Sequence, residues 1–106
     1  MIKADFYKSK KDKNLFCGFR IEGHSGYAEC GSDIVCASVS SMVLLFINLI
    51  NDFGVSFDFD SQEENALVTF EVKKADKDVS KAILTLCNCI EAVSEEYPEF
   101  VKVTKQ

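Results

Sequence analysis

Apolar and polar residues alternate over Ile2–Tyr7, which places Ile2, Ala4 and Phe6 on one side of an extended segment. A polar, lysine-rich tract, Lys8–Asn14, connects it to a second alternating segment, Leu15–Ile21, where Leu15, Cys17, Phe19 and Ile21 share a face. Gly23, Gly26 and Gly31 then break any period, so Gly23–Gly31 reads as a loop. Beyond it the spacing changes to fours and threes: Val35, Val39, Met42, Phe46, Leu49 and Phe53. That spacing predicts a helix opened by Ser32 or Asp33 and stopped at Gly54. Alternation returns over Val55–Asp60, with Val55, Phe57 and Phe59 inward, and over Ala66–Val72, with Ala66, Val68, Phe70 and Val72 on one face. The polar stretch Ser61–Asn65 turns the chain between them. Asp76 or Asp78 opens a second helix with the stripe Val79, Ile83, Leu86, Ile90, Val93 and Tyr97, and Pro98 ends it. Phe100–Thr104 reads as a short last strand.

The order β-β-α-β-β-α-β predicts an α+β fold with two helices packed on one face of a mainly antiparallel sheet. At 106 residues the chain reads as one domain, 1–106, with a single core. No apolar leader is apparent at its start. The longest apolar run, Met42–Ile47, is far shorter than the ~18 residues of a membrane span, so a cytoplasmic protein without membrane attachment is expected. The first helix carries a second apolar line, Val43, Leu44, Ile47 and Ile50. A helix apolar most of the way round needs cover on more than one face. The pattern alone leaves burial under loops and a dimer interface equally open.

The net charge of −5 comes with no basic stripe, which argues against direct nucleic-acid binding. An acidic surface suits a basic protein partner, although solubility alone also accounts for it. The five cysteines are an odd set without a secretion signal, so reduced thiols are expected. Cys87 and Cys89 fall about 200° apart on a helix and cannot share a metal. Those two and Cys17 read as small buried apolar residues.

Candidate chemistry lies in one segment, Gly23-His24-Ser25-Gly26-Tyr27-Ala28-Glu29-Cys30-Gly31-Ser32-Asp33-Ile34-Val35-Cys36, which holds the only histidine. With Asp33 as helix cap, Cys36 falls on the first turn, near free backbone N–H groups and the positive end of the helix dipole. That setting, beside an imidazolium, favours the thiolate. A thiolate is the nucleophile for acyl transfer, and His24 can protonate the leaving amine. The same N–H groups would face the oxyanion of a tetrahedral intermediate. The residues equally admit a loop histidine and a buried helix cysteine. A metal site from His24, Cys30, Cys36 and Asp33 lacks the tight ligand pairs of structural zinc, and a Cys30–Cys36 redox pair lacks the C-x-x-C spacing. The loop glycines and polar side chains predict a mobile loop in the free protein, with His24 often too far from Cys36 to bond it.

The run Gly-His-Ser-Gly-Tyr-Ala-Glu, followed by Gly-x-Asp-Ile-Val-Cys-Ala-x-Val-Ser, resembles the signature of the ribosomal processing cysteine protease family, Prp. The likeness spans essentially the whole chain. It implies a cytoplasmic bacterial endopeptidase, needing no cofactor, that removes a short N-terminal extension from a large-subunit ribosomal protein. That extension typically ends in aromatic residues before the cut. The resemblance also implies a homodimer, which favours a partner for the first helix through residues such as Leu44 or Ile47. By position it makes His24 and Cys36 the catalytic pair, gives Gly23 to loop movement, and places Asp33 and Ser40 as flanking polar residues. From the residues alone, Asp33 either orients His24 or only caps the helix. Ser40, one turn after Cys36, either faces the pocket or bonds back to the carbonyl of Cys36. The resemblance gives Cys30 no role. A non-catalytic ribosome-assembly or adaptor protein is the alternative reading.

Overall fold

Two aspartates fix where the helices begin. Asp33 Oδ1 accepts the N–H groups of Val35 and Cys36 at 3.0 and 2.9 Å, and Asp76 Oδ1 accepts those of Asp78 and Val79 at 2.9 and 3.0 Å. Each cap satisfies two amides that the first turn leaves unpaired. The computed structural model, which describes residues 1–29 and 31–106, then runs β1 (Ile2–Lys8), β2 (Phe16–Glu22), α1 (Ile34–Phe53), β3 (Phe57–Gln62), β4 (Leu67–Val72), α2 (Lys77–Glu96) and β5 (Val101–Lys105). This is the order expected from the sequence. The strands form one sheet in the order β3-β4-β2-β1-β5. Three neighbouring pairs are antiparallel, and β5 lies parallel to β1 with Ile2 opposite Val101.

Both helices cover the same face of the sheet. Phe46 of α1 meets Phe19 of β2 and Phe70 of β4 edge-on, at centroid distances of 5.3 and 4.9 Å. On α2, the Ser80 hydroxyl accepts the N–H of Phe16 at 2.9 Å. Phe6, Phe19, Phe46 and Phe70 are buried together. Each such side chain contributes ~1.5–3 kcal/mol on leaving water, and their edge-on contacts add to that.

Several expected details shift. The buried line of α1 is Val35, Val39, Val43, Phe46 and Ile50, whereas Leu49 and Phe53 are 43% and 39% exposed. Two neighbouring apolar lines compete for the core on this helix, and the sheet takes Val35, Val39 and Phe46 from the expected stripe and Val43 and Ile50 from the line beside it. The register of β1 and β2 slips between Tyr7 and Lys8, so that Gly18 faces Tyr7, Phe16 faces Lys8 and Cys17 has no opposite residue. This bulge turns Phe16 into the core and leaves Cys17 half-buried, where burial and the nearby Glu71 carboxylate push its thiol pKa up. The strand expected over Val55–Asp60 starts at Phe57 and continues to Gln62. Ala66 belongs to the turn, with φ 47°, rather than to the inward face of β4. Phe59, expected inward, stays 38% exposed on the edge strand. Cys87 is buried, with its thiol raised to about 11 by desolvation and by Glu91, but Cys89 is exposed rather than buried.

Taken whole, α1 is long and apolar enough to cross a membrane, with a mean hydropathy of 2.1 over its best window, which the short run Met42–Ile47 does not suggest. Here its buried face supplies the core, while Leu44, Leu45 and Leu49 on its other sides stay exposed.

Candidate active site

Strand β2 ends at Glu22, and the chain turns immediately through Gly23 at φ +99°. The N–H of Gly23 donates to the carbonyl of Ala66 at 2.9 Å. A Cβ at this position would lie 2.4 Å from the carbonyl oxygen of Met1, so both the backbone angle and the space demand glycine. The Met1 ammonium donates to the carbonyl of His24 at 2.6 Å. His24 is therefore held by its backbone, with its ring exposed at the start of the loop.

Cys36 is half-buried on the first turn of α1. His24 and Cys36 line one groove of about 420 Å³ between α1 and the β3–β4 hairpin. Val39, Val43, Leu44, Ile47 and Phe59 give it apolar walls, and Ser40 joins Cys36 on the helix side. Leu44 and Ile47, expected at a dimer contact, thus line this groove. Among the described residues the His24 ring makes no hydrogen bond to Cys36, and Ser40 makes no back-bond to the Cys36 carbonyl; Ser38 makes that kind of bond instead, to the Ile34 carbonyl at 2.7 Å.

Asp33 connects the helix to the loop. While Oδ1 caps α1, Oδ2 accepts the hydroxyl of Ser25 and, at 3.4 Å, the N–H of Ala28. The Ser25 hydroxyl, followed by the Cys36 N–H, lowers the Asp33 pKa to about 2, so the carboxylate is ionised through the neutral and mildly acidic range. No bond joins Asp33 to the His24 ring among the described residues; its partners are the helix amides and the loop.

The expectation of free first-turn amides near the sulfur is corrected here. Asp33 takes the N–H groups of Val35 and Cys36, and its main-chain carbonyl accepts that of Ala37 at 3.1 Å. The donor that reaches Cys36 Sγ is instead the backbone N–H of Ser25, at 3.3 Å. Sequence reasoning missed Ser25, which is only 2% exposed, because no periodicity links a loop serine to an aspartate eight residues later. It also missed Tyr27, whose ring meets Tyr97 and Phe100 edge-on at 5.4 and 5.3 Å. The metal and redox readings that use Cys30 lie outside the described residues. Among the described residues no group of three His, Cys, Asp or Glu side chains gathers to hold a metal.

A thiol on a helix start, an imidazole on the adjoining loop and an apolar groove that both of them line form an arrangement suited to a thiol hydrolase acting on extended chains. The family model for the cysteine protease Prp matches residues 1–102, and the chain belongs to that family. It is a cysteine protease. Its fold is similar to that of the S. aureus ribosomal processing protease Prp with a covalently linked product peptide, at TM-score 0.90 and 20% identity over 100% of both chains. The same S. aureus protease with a substrate peptide gives TM-score 0.84 at 19% identity, again over 100% of both chains. The Streptococcus mutans protein SMU.848 gives 0.78 at 26% identity, over 100% of this chain and 94% of that one. No curated protein matches the sequence.

Proposed function

We propose that this chain is a bacterial, cytoplasmic endopeptidase that removes a short N-terminal extension from a large-subunit ribosomal protein, with Cys36 as nucleophile and His24 as acid and base. The observation that carries the reading is the shared groove: the one histidine and the helix-start thiol line the same apolar channel. Family membership and the likeness to a ribosomal processing protease with peptides bound support this substrate class. In this mechanism the Cys36 thiolate attacks the scissile carbonyl carbon and a C–S bond forms. The C–N bond then breaks as His24 gives its proton to the leaving amine. Water, deprotonated by His24, cleaves the thioester to a carboxylate and restores the thiol. Aromatic residues before the cut would bury against Val39, Val43, Leu44 and Phe59. Ser40 stands on the same wall as a polar contact for the peptide.

Incubating the protein with a peptide spanning an extended ribosomal-protein N-terminus tests this reading. Mass spectrometry is expected to show one cut, C-terminal to the aromatic residues. An intact peptide after prolonged incubation would favour the adaptor reading.

Self-association completes the proposal. Leu45 and Leu49 of α1 are 72% and 43% exposed, a large apolar exposure one turn apart on one helix and outside the lining of the groove. The chain is expected to form a homodimer through this side of α1. Light scattering at micromolar concentration should give twice 11.9 kDa, and Leu45→Asp should return the monomer mass. A wild-type protein that is monomeric throughout would remove the dimer.

A further inference from the structure

We infer that Ser25 is a positioning residue of this protease, a latch that preforms the catalytic loop over Cys36 before substrate arrives. The inference rests on the assignment of Cys36 as nucleophile. It starts from a residue that sequence patterns treat as ordinary loop filler. Ser25 is one of two buried polar residues among those described, and every polar atom of it that bears a hydrogen is used on the site. Its hydroxyl donates to Asp33 Oδ2 and accepts the N–H of Tyr27 at 3.2 Å, while its own N–H donates to Cys36 Sγ at 3.3 Å.

These bonds have one geometric effect. Asp33 is fixed to α1 by its other carboxylate oxygen, so the Ser25 hydroxyl ties the loop to the same rigid helix turn that carries Cys36. The bond is charge-assisted, and the oxygen is held in place by the cap, so little is lost on ordering it. With Ser25 seated, its N–H is aimed at the sulfur, and His24, one residue earlier, enters the groove from a fixed backbone. Tyr27 against Tyr97 and Phe100 supports the far side of the same loop. A glycine-rich loop that otherwise samples many states is thereby confined to those that place His24 beside the groove. Less ordering then remains for the peptide to induce.

Ser25→Ala removes the latch and keeps the main-chain N–H. Three measurements decide the matter. Amide hydrogen exchange over residues 24–29 in the free protein should quicken by about tenfold or more. For an extended ribosomal-protein peptide, kcat should fall by about tenfold while KM stays within about twofold, because the groove walls are untouched. Ser25→Thr, which keeps the hydroxyl, should recover most of both effects. Unchanged exchange and unchanged kcat in Ser25→Ala would overturn the latch, as would a Ser25→Ala defect carried wholly by KM. If the wild type cleaves no peptide, the assignment of Cys36 fails, and the exchange measurement still decides whether Ser25 holds the loop.

Discussion

Cys36→Ala is expected to abolish peptide cleavage and His24→Ala to lower kcat by ~10³-fold or more, because in the proposed mechanism each substitution removes a step for which no second group stands ready. Without the sulfur there is no covalent intermediate to divide the reaction. Without the imidazole the thiolate must expel an amine that nothing protonates. The sequence offers no other histidine to take over. Neither change should unfold the protein: the His24 ring is exposed, and Cys36 sits at the margin of the core. Thermal unfolding should therefore stay close to wild type, with at most ~1 kcal/mol lost at Cys36. Cleavage at the wild-type rate by Cys36→Ala would show that the nucleophile lies elsewhere.

Gly23→Ala should damage both stability and turnover, although Gly23 forms no bond to substrate in this mechanism. An alanine at φ +99° is strained, at a cost of ~1–3 kcal/mol. Its Cβ would also press on the Met1 carbonyl, which is backbone and cannot rotate aside. Relief requires either the start of β1 or the residues carrying His24 to move. The second movement misplaces the imidazole, and a displacement of about 1 Å can cost ~10²-fold in rate. Urea unfolding and kcat/KM on the same preparation read the two effects together. Wild-type values for both would mean that this turn tolerates a side chain and that the placement of His24 does not depend on it.

The Gly23 turn and the Asp33 cap were legible in the sequence because each is local chemistry: a break after a strand, and an acid before a helical stripe. The buried side of α1 was legible only in part, at Val35, Val39 and Phe46. Its two apolar lines differ in residue order but hardly in hydrophobicity, and only the sheet beneath decides between Met42–Leu49–Phe53 and Val43–Ile50. The bulge at Cys17 was hidden for a similar reason. One unpaired residue reverses the alternation at the start of β2, and nothing in Phe16-Cys17-Gly18 announces it. At the site, the types and spacing of His24 and Cys36 suggested the chemistry. The first-turn amides are less available than the sequence suggests, since Asp33, the carboxylate that caps the helix, consumes two of the donors that an oxyanion would need. Ser25 was invisible because its role depends on where Asp33 Oδ2 points, a tertiary fact.

The loop that carries His24 leans on Tyr97 and Phe100 through Tyr27, and β1 beneath it is flanked on one side by β5. Those supports come about seventy residues after the loop in the chain. During synthesis the segment 23–36 leaves the ribosome well before residues 97–105 exist to brace it. A growing chain thus carries its thiol and imidazole for most of translation without the frame that seats the loop. Proteolytic competence should therefore arrive late, once Tyr97 and Phe100 are in place under Tyr27, and a chain stalled short of that point would carry His24 and Cys36 without this support.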